Sequence, residues 1–150
     1  MINDIYNKDV LRLAADISRI DPLESPDARV HVRSPLCGST MDIDLKVVDG
    51  RIADYGQTIK ACALGQASAS VMARAVLGKD AGEIERVRAI VEKMLKEGGP
   101  APDGDWAGLK ALIPAKDLPA RHGAILLPFD GVLKALHEIE HSPHAEPVEA

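Results

Sequence analysis

Between residues 41 and 52 the chain carries the pattern that most narrows its fold. Met41, Ile43, Leu45 and Val47 alternate with Asp42, Asp44 and Lys46, the period-two signature of a strand with one face in a core and the other wet. Asp49-Gly50 follows, and both residues tolerate the positive φ that a two-residue hairpin turn demands at its central positions. Residues 51–59, with Ile52 near their start, read as the returning strand, and residues 28–33 as a further short strand with Val30 and Val32 on one face. Strands joined by a tight hairpin run antiparallel, so a three-stranded antiparallel sheet is expected.

Around this sheet the period changes to that of helices. Val10, Leu11, Leu13, Ala14 and Ile17 place a first amphipathic helix over residues 9–20, ended by Asp21-Pro22 and Ser25-Pro26. Residues 60–77, built from small side chains around Ala67-Ser68-Ala69-Ser70, read as a helix that packs very closely on its neighbour, with Gly78 as its C-cap. Residues 81–97 form a charged amphipathic helix with Ile84, Val87, Ile90, Val91, Met94 and Leu95 inward, broken by Gly98-Gly99-Pro100. A short helix through Trp106, Leu109 and Leu112, a loop bounded by Pro114 and Pro119, and a last helix from about Ile125 or Phe129 to Ile139 complete the reading. The expectation is a single α+β domain over residues 1–140 and a disordered tail over residues 141–150, where two prolines and several charges cluster.

Composition bears on partners. A net charge of -5 argues against nucleic acid, whose phosphates call for a basic surface, and against anionic membranes. Aromatic residues are only 3%, so the core must come from Leu, Ile, Val, Ala and Met. No apolar stretch reaches the length of a membrane helix, and Met1-Ile2-Asn3-Asp4 opens no signal peptide. A cytoplasmic location is therefore expected, where Cys37 and Cys62 are free thiols or metal ligands rather than a disulfide.

Three short segments can carry chemistry. Ser34-Pro35-Leu36-Cys37-Gly38-Ser39 is a loop that delivers a cysteine between two strands. Lys60-Ala61-Cys62-Ala63 puts a second cysteine where a strand ends and a helix begins, and the positive end of a helix dipole favours thiolate, the form that binds metal or attacks sulfur. Leu118-Pro119-Ala120-Arg121-His122-Gly123 offers an imidazole and a fixed positive charge before the last helix. Other polar groups have plainer readings. Asp42, Asp44 and Lys46 make a solvated strand face; His31, His137, His141 and His144 are strand-face or tail residues; His137 and His141, spaced i, i+4, suit a helix C-terminus.

These segments, in this order, resemble the U-type iron–sulfur cluster scaffolds, the IscU/SufU type also found as the first domain of NifU. Pro35-Leu36-Cys37-Gly38-Ser39 is similar to the family's proline-x-cysteine-glycine-aspartate loop, Val48-Asp49-Gly50-Arg51-Ile52 to its hairpin, and Cys62 with Ala67-Ser68-Ala69-Ser70-Val71-Met72 to its second cysteine and alanine/serine-rich helix. The two cysteines stand 25 residues apart, close to the family spacing, and Gly78-Lys79 ends the helix as in the family. The resemblance covers roughly residues 5–140. It implies a SufE/NifU-like α+β fold, an N-terminal helix, and three to four helices after the sheet. It also implies a non-enzymatic scaffold or carrier that holds iron or an iron–sulfur cluster on Cys37, Cys62 and His122, with a cysteine desulfurase and an acceptor or chaperone protein as partners, working as a monomer or weak homodimer. The chain departs from the family twice. Ser39 stands where the family has aspartate, which disfavours zinc as the metal, and Gly123 or Ala124 stands where the family has its third cysteine. Two thiols and one imidazole fall short of the four ligands a cluster usually takes. Two other functions therefore stay open beside the scaffold: a sulfur relay in which Cys62 carries persulfide, and a metal-free regulatory homologue. On all metal readings, Cys37, Cys62 and His122 should converge at one end of the sheet.

Overall fold

The computed structural model describes residues 7–141. Helix α1 spans Lys8–Ala15, followed by strands β1 (Ala28–Arg33), β2 (Thr40–Val48) and β3 (Arg51–Lys60), then α2 (Ala63–Ala75) and α3 (Ala81–Glu97). A 3₁₀ segment over Gly104–Asp117 and a 3₁₀ turn over Pro119–Arg121 lead into α4 (His122–His141). The sheet has the order β1-β2-β3 with both pairs antiparallel, as the alternation and the turn require. Asp49 and Gly50 take φ of 53° and 77°. The tail expected to be disordered, together with His144, lies outside the described residues apart from His141, which closes α4. Among the described residues no helix is long and apolar enough to cross a membrane.

The parity of β3 shows how the hairpin keeps one face apolar. Met41, Ile43 and Leu45 pair with Ile59, Gln57 and Tyr55, and all lie on the helix-covered side. The register shifts between Lys46 and Val47, so that Val47 pairs with Ile52 and Ala53 is passed over. This bulge returns Ile52, an even-numbered residue, to the inner face of an odd-numbered row, where it is buried. Helix α4 covers β1 and β2, and α2 lies against β3, α1, α4 and the 3₁₀ segment. Gly65 lets α2 approach α4, since a β-carbon there would lie 2.8 Å from Ala61 Cβ and 3.3 Å from Ala124 Cβ. Ser68 Oγ donates to the Ile125 carbonyl across the same contact at 2.6 Å, beside Pro128, which removes a backbone donor inside α4.

Several elements differ from the sequence expectation, each for a tertiary reason. Helix α1 stops at Ala15 rather than near residue 20. Arg19 turns to φ 55°, its carbonyl accepts the Gln57 N–H (2.9 Å), and the Gln57 side chain reaches the Ser18 carbonyl (3.1 Å) and the Ala69 carbonyl (3.2 Å). Pairing with β3 thus replaces the last helical turn. The C-cap of α2 is Val76 rather than Gly78; Gly78, at φ 85°, donates to the Ile52 carbonyl instead. Pro114 stands inside the 3₁₀ segment, not at the edge of a loop, because Trp106, Leu109, Leu112 and Ala115 are buried at every third residue, the 3₁₀ repeat. Helix α4 begins at His122, earlier than expected, since the Pro119–Arg121 turn runs straight into it.

The outer sheet face is not simply solvated. Asp42 pairs with His31 at 2.6 Å in the open, but Asp44 is 4% exposed. Its carboxylate accepts Arg29 Nε and the second Arg29 nitrogen at 2.8 and 2.9 Å, and the Leu23 N–H at 3.0 Å. Arg29 holds the carboxyl below its ordinary range; burial opposes this and the Leu23 N–H assists it. A carboxyl whose folded value is depressed stabilises the fold above its unfolded value, and that contribution fades as pH falls through the folded one. Asp44→Ala is expected to cost about 2 kcal/mol at neutral pH, the loss of charge-assisted bonds to a buried group. In urea titrations the gap between wild type and variant should narrow at acid pH; a constant gap would sink this account.

Candidate functional site

One row of the sheet sets the site. Arg33 pairs with Thr40, and Thr40 pairs with Lys60, so β1, β2 and β3 all begin or end on that row. The loop between β1 and β2 carries Cys37, and the chain leaving β3 carries Cys62 two residues on. The loop is tight: the Ser34 N–H donates to the Ser39 carbonyl and the Gly38 N–H to the Ser34 carbonyl, each at 2.8 Å. Gly38 takes φ 73° with open space around its α-carbon, so glycine serves conformation here rather than close approach. Cys62 is the N-cap of α2, and its thiol caps no backbone N–H. The Gln66 N–H donates to the Cys62 carbonyl and the Gln66 side chain to the Ala61 carbonyl, both at 3.0 Å, which pins the junction.

Both cysteines are free thiols, half-buried, and line one open cleft of about 420 Å³. Lys60 and Arg121 stand at its edge, and among the described residues no acidic side chain lines it. Cys37 Sγ lies 3.4 Å from Ser34 Oγ and 3.2 Å from Ser39 Oγ. Burial pushes the Cys37 thiol up, but the Ser34 and Ser39 hydroxyls and the loop backbone outweigh it, leaving the thiol below its ordinary value. A thiolate there accepts from both hydroxyls. Ser34→Ala or Ser39→Ala is therefore expected to shift the alkylation of Cys37 by iodoacetamide to higher pH, read in a Cys62→Ser background. An unchanged profile in both variants would show that the hydroxyls do not act on the sulfur.

The third expected site residue lies elsewhere. His122 is 6% exposed and its Nε2 meets the Ala115 carbonyl at 2.9 Å, so the ring is tied to the end of the 3₁₀ segment. It lines a neighbouring groove of about 470 Å³ with Arg88, Glu92, Gly123 and Leu126, while Leu36 touches both cavities. The structure thus brings Cys37 and Cys62 together and sets His122 beside them rather than among them. Among the described residues no three His, Cys, Asp or Glu side chains gather closely enough to hold one metal ion. His137 and His141 meet at the end of α4 with ring centroids 4.2 Å apart and ring planes tilted by 48°, and neither lines the cysteine cleft. What sequence reading missed is the role of Ser34, a serine with no motif of its own; only its place just after β1, three residues before Cys37, hints at it.

Comparison with known proteins bears on the family and the fold. The sequence pattern of the family described as NifU-like N terminal domain matches residues 5–115, which include both cysteines and end before His122. The iron–sulfur cluster assembly scaffold protein IscU of Thermotoga maritima is 30% identical over 103 residues, covering 69% of this chain and 72% of that protein. The crystal structure of a nitrogen-fixing NifU-like protein (N-terminal) from Brucella abortus is 48% identical, with a TM-score of 0.89, over 94% of this chain and 98% of the other. FiSufU from Fervidobacterium islandicum shares the fold at a TM-score of 0.78 and 21% identity, over 89% and 98% of the two chains.

Proposed function

As this chain belongs to the NifU-like N-terminal domain family, we propose that it is an iron–sulfur cluster assembly scaffold or carrier, holding iron or a cluster for a time on Cys37 and Cys62 and passing it on. The observation that carries the reading is two free thiols on one open, cation-edged cleft at the end of a rigid sheet. The cluster is cargo, and an accessible site with few protein ligands suits cargo that must leave. Each thiol gives up its proton on ligation, and the hydroxyls around Cys37 favour that loss. With its Nε2 on the Ala115 carbonyl, His122 has only Nδ1 left to ligate, and the ring lines the neighbouring groove rather than the cysteine cleft. Ser39 stands where the family's zinc-loaded branch has an aspartate ligand, and a neutral hydroxyl is a poor substitute for a carboxylate, so iron is the metal proposed. The partners are a cysteine desulfurase and a cluster acceptor or chaperone; the protein acts in the cytoplasm and turns over no substrate of its own.

The small thiol count favours one second reading, a persulfide relay. There a thiolate of this chain attacks the outer sulfur of the desulfurase persulfide, forms a new S–S bond and releases the desulfurase thiolate. Anaerobic reconstitution with iron, cysteine and a cysteine desulfurase, followed by absorption spectroscopy and iron and sulfide counts, separates the two. A visible cluster band with iron and acid-labile sulfide supports the scaffold. Sulfur bound as persulfide without iron supports the relay and overturns the scaffold.

A further inference from the structure

The end of α4 carries a pattern that the cysteine cleft does not use. His137-Glu138-Ile139-Glu140-His141 reads H-E-x-x-H on a helix, the arrangement that puts two imidazoles on one face, a turn apart, where a single zinc ion reaches both. Both histidines are exposed, and their ring centroids stand 4.2 Å apart with the planes tilted by 48°. Two nitrogens that ligate one ion tetrahedrally at about 2.0–2.1 Å lie roughly 3.3 Å apart, within reach of these rings by side-chain rotation alone. The surroundings favour a cation. His137 lines an open depression of about 390 Å³ between α3 and α4, with Glu85, Asp130, Lys134 and Glu140. Asp130 is held by Arg88, and Lys134 donates to the His31 carbonyl at 3.0 Å, so Glu85 and Glu140 leave a negative field over the imidazole. The last carbonyls of α4 add the negative end of the helix dipole.

We infer that His137 and His141 bind one divalent transition-metal ion of the kind imidazole prefers, zinc or copper(II) rather than magnesium or calcium, with water in the remaining positions. The site stands apart from the function proposed above and does not rest on it. Neither histidine lines the cysteine cleft, and His137 follows His122 by fifteen residues of α4, about 22 Å of helix. Each neutral ring gives the ion a lone pair, and no electron changes hands. Glu85 and Glu140 act through their charge, since among the described residues no third side chain is placed to ligate. Glu138 does not line the depression, so the site holds metal without the general base that hydrolysis needs.

The test is a zinc titration of the full chain carrying Cys37→Ser and Cys62→Ser, which removes the competing thiols, read by calorimetry and by the imidazole nitrogen signals in NMR. Expected are one zinc per chain, signal changes confined to His137 and His141, and no response to magnesium. Adding His137→Ala or His141→Ala should weaken binding at least about 10-fold, since loss of a residue that merely supports a ligand already costs that much. His31→Ala is the control: His31 pairs with Asp42 on the outer sheet face, and its loss should leave the affinity unchanged. Both α4 side chains are exposed, so their variants should keep the circular dichroism of the parent. Zinc that fails to bind, that binds equally well without His137 or without His141, or that is lost with His31 overturns the site. None of these outcomes touches the reading of the cysteines, which iron and sulfide counts decide.

Discussion

Cys37→Ser and Cys62→Ser are each expected to retain iron at least about 100-fold more weakly than wild type, while melting at nearly the same temperature. Replacing a residue that merely supports a metal ligand costs about 10–100-fold in affinity; these changes remove the ligand itself and put a weakly acidic hydroxyl in place of a soft thiolate. The fold should not register the loss. Both side chains are half-buried at the cleft, Cys62 also touching the edge of the core, where serine is close to it in size, and neither caps a helix through its sulfur. Iron and sulfide per chain after desalting, beside thermal unfolding by circular dichroism, read both halves of the expectation. If either single variant kept wild-type iron, the cluster would have to reside somewhere other than the cleft.

The largest effect on stability is expected from Gly56→Ala. Gly56 lies in the middle of β3, opposite Asp44, on the outer face. A β-carbon there would stand 2.5 Å from the backbone carbonyl oxygen of Asp21 and 3.6 Å from Leu23 Cγ. The obstacle is main chain, which cannot rotate aside, and the segment is fixed on both sides. The Arg19 carbonyl accepts from Gln57 and the Leu23 N–H donates to Asp44. The cost should be about 3 kcal/mol, the upper end of overpacking, or roughly 6–12 °C in melting temperature for a chain of this size. Gly82→Ala in α3 is the control: its β-carbon would meet only Asp80 Oδ1 at 3.6 Å, and alanine suits a helix better than glycine. Equal melting temperatures for the two variants would show that the crossing segment yields.

The sheet was legible because alternation and the Asp49-Gly50 turn are local signals that point the same way. Helix α3 was legible to the residue, since Asp80 caps it through Glu83 N–H and Gly98 ends it at φ 74°. The fates of residues 16–20 and of Asp44 were not, because both depend on a segment crossing β3 at a glycine whose purpose no local pattern reveals. The 3₁₀ segment is half-visible: the spacing of Trp106, Leu109 and Leu112 points to a helix, and only the strict period of three carried on to Ala115 distinguishes it from an α-helix. At the site, the two thiols were found by motif and spacing. The direction of the His122 ring is set by its contact with the Ala115 carbonyl, and the close approach of Gly123 to Ser34 is a fact of packing between residues 89 apart in the chain.

The Arg33–Thr40–Lys60 row also bears on how cargo is exchanged. Both thiols hang from a single transverse line of the sheet, whose strand spacing of about 4.8 Å is fixed by backbone geometry. The sheet therefore sets where the Cys37 loop and the Cys62 junction leave it before any metal arrives. Little ordering entropy is spent on loading, and no hinge has to open for unloading. Delivery is then governed by ligand substitution, with an incoming thiolate displacing one of this chain's own, and its rate should follow the nucleophilicity of the receiving protein's thiol rather than any motion of the scaffold.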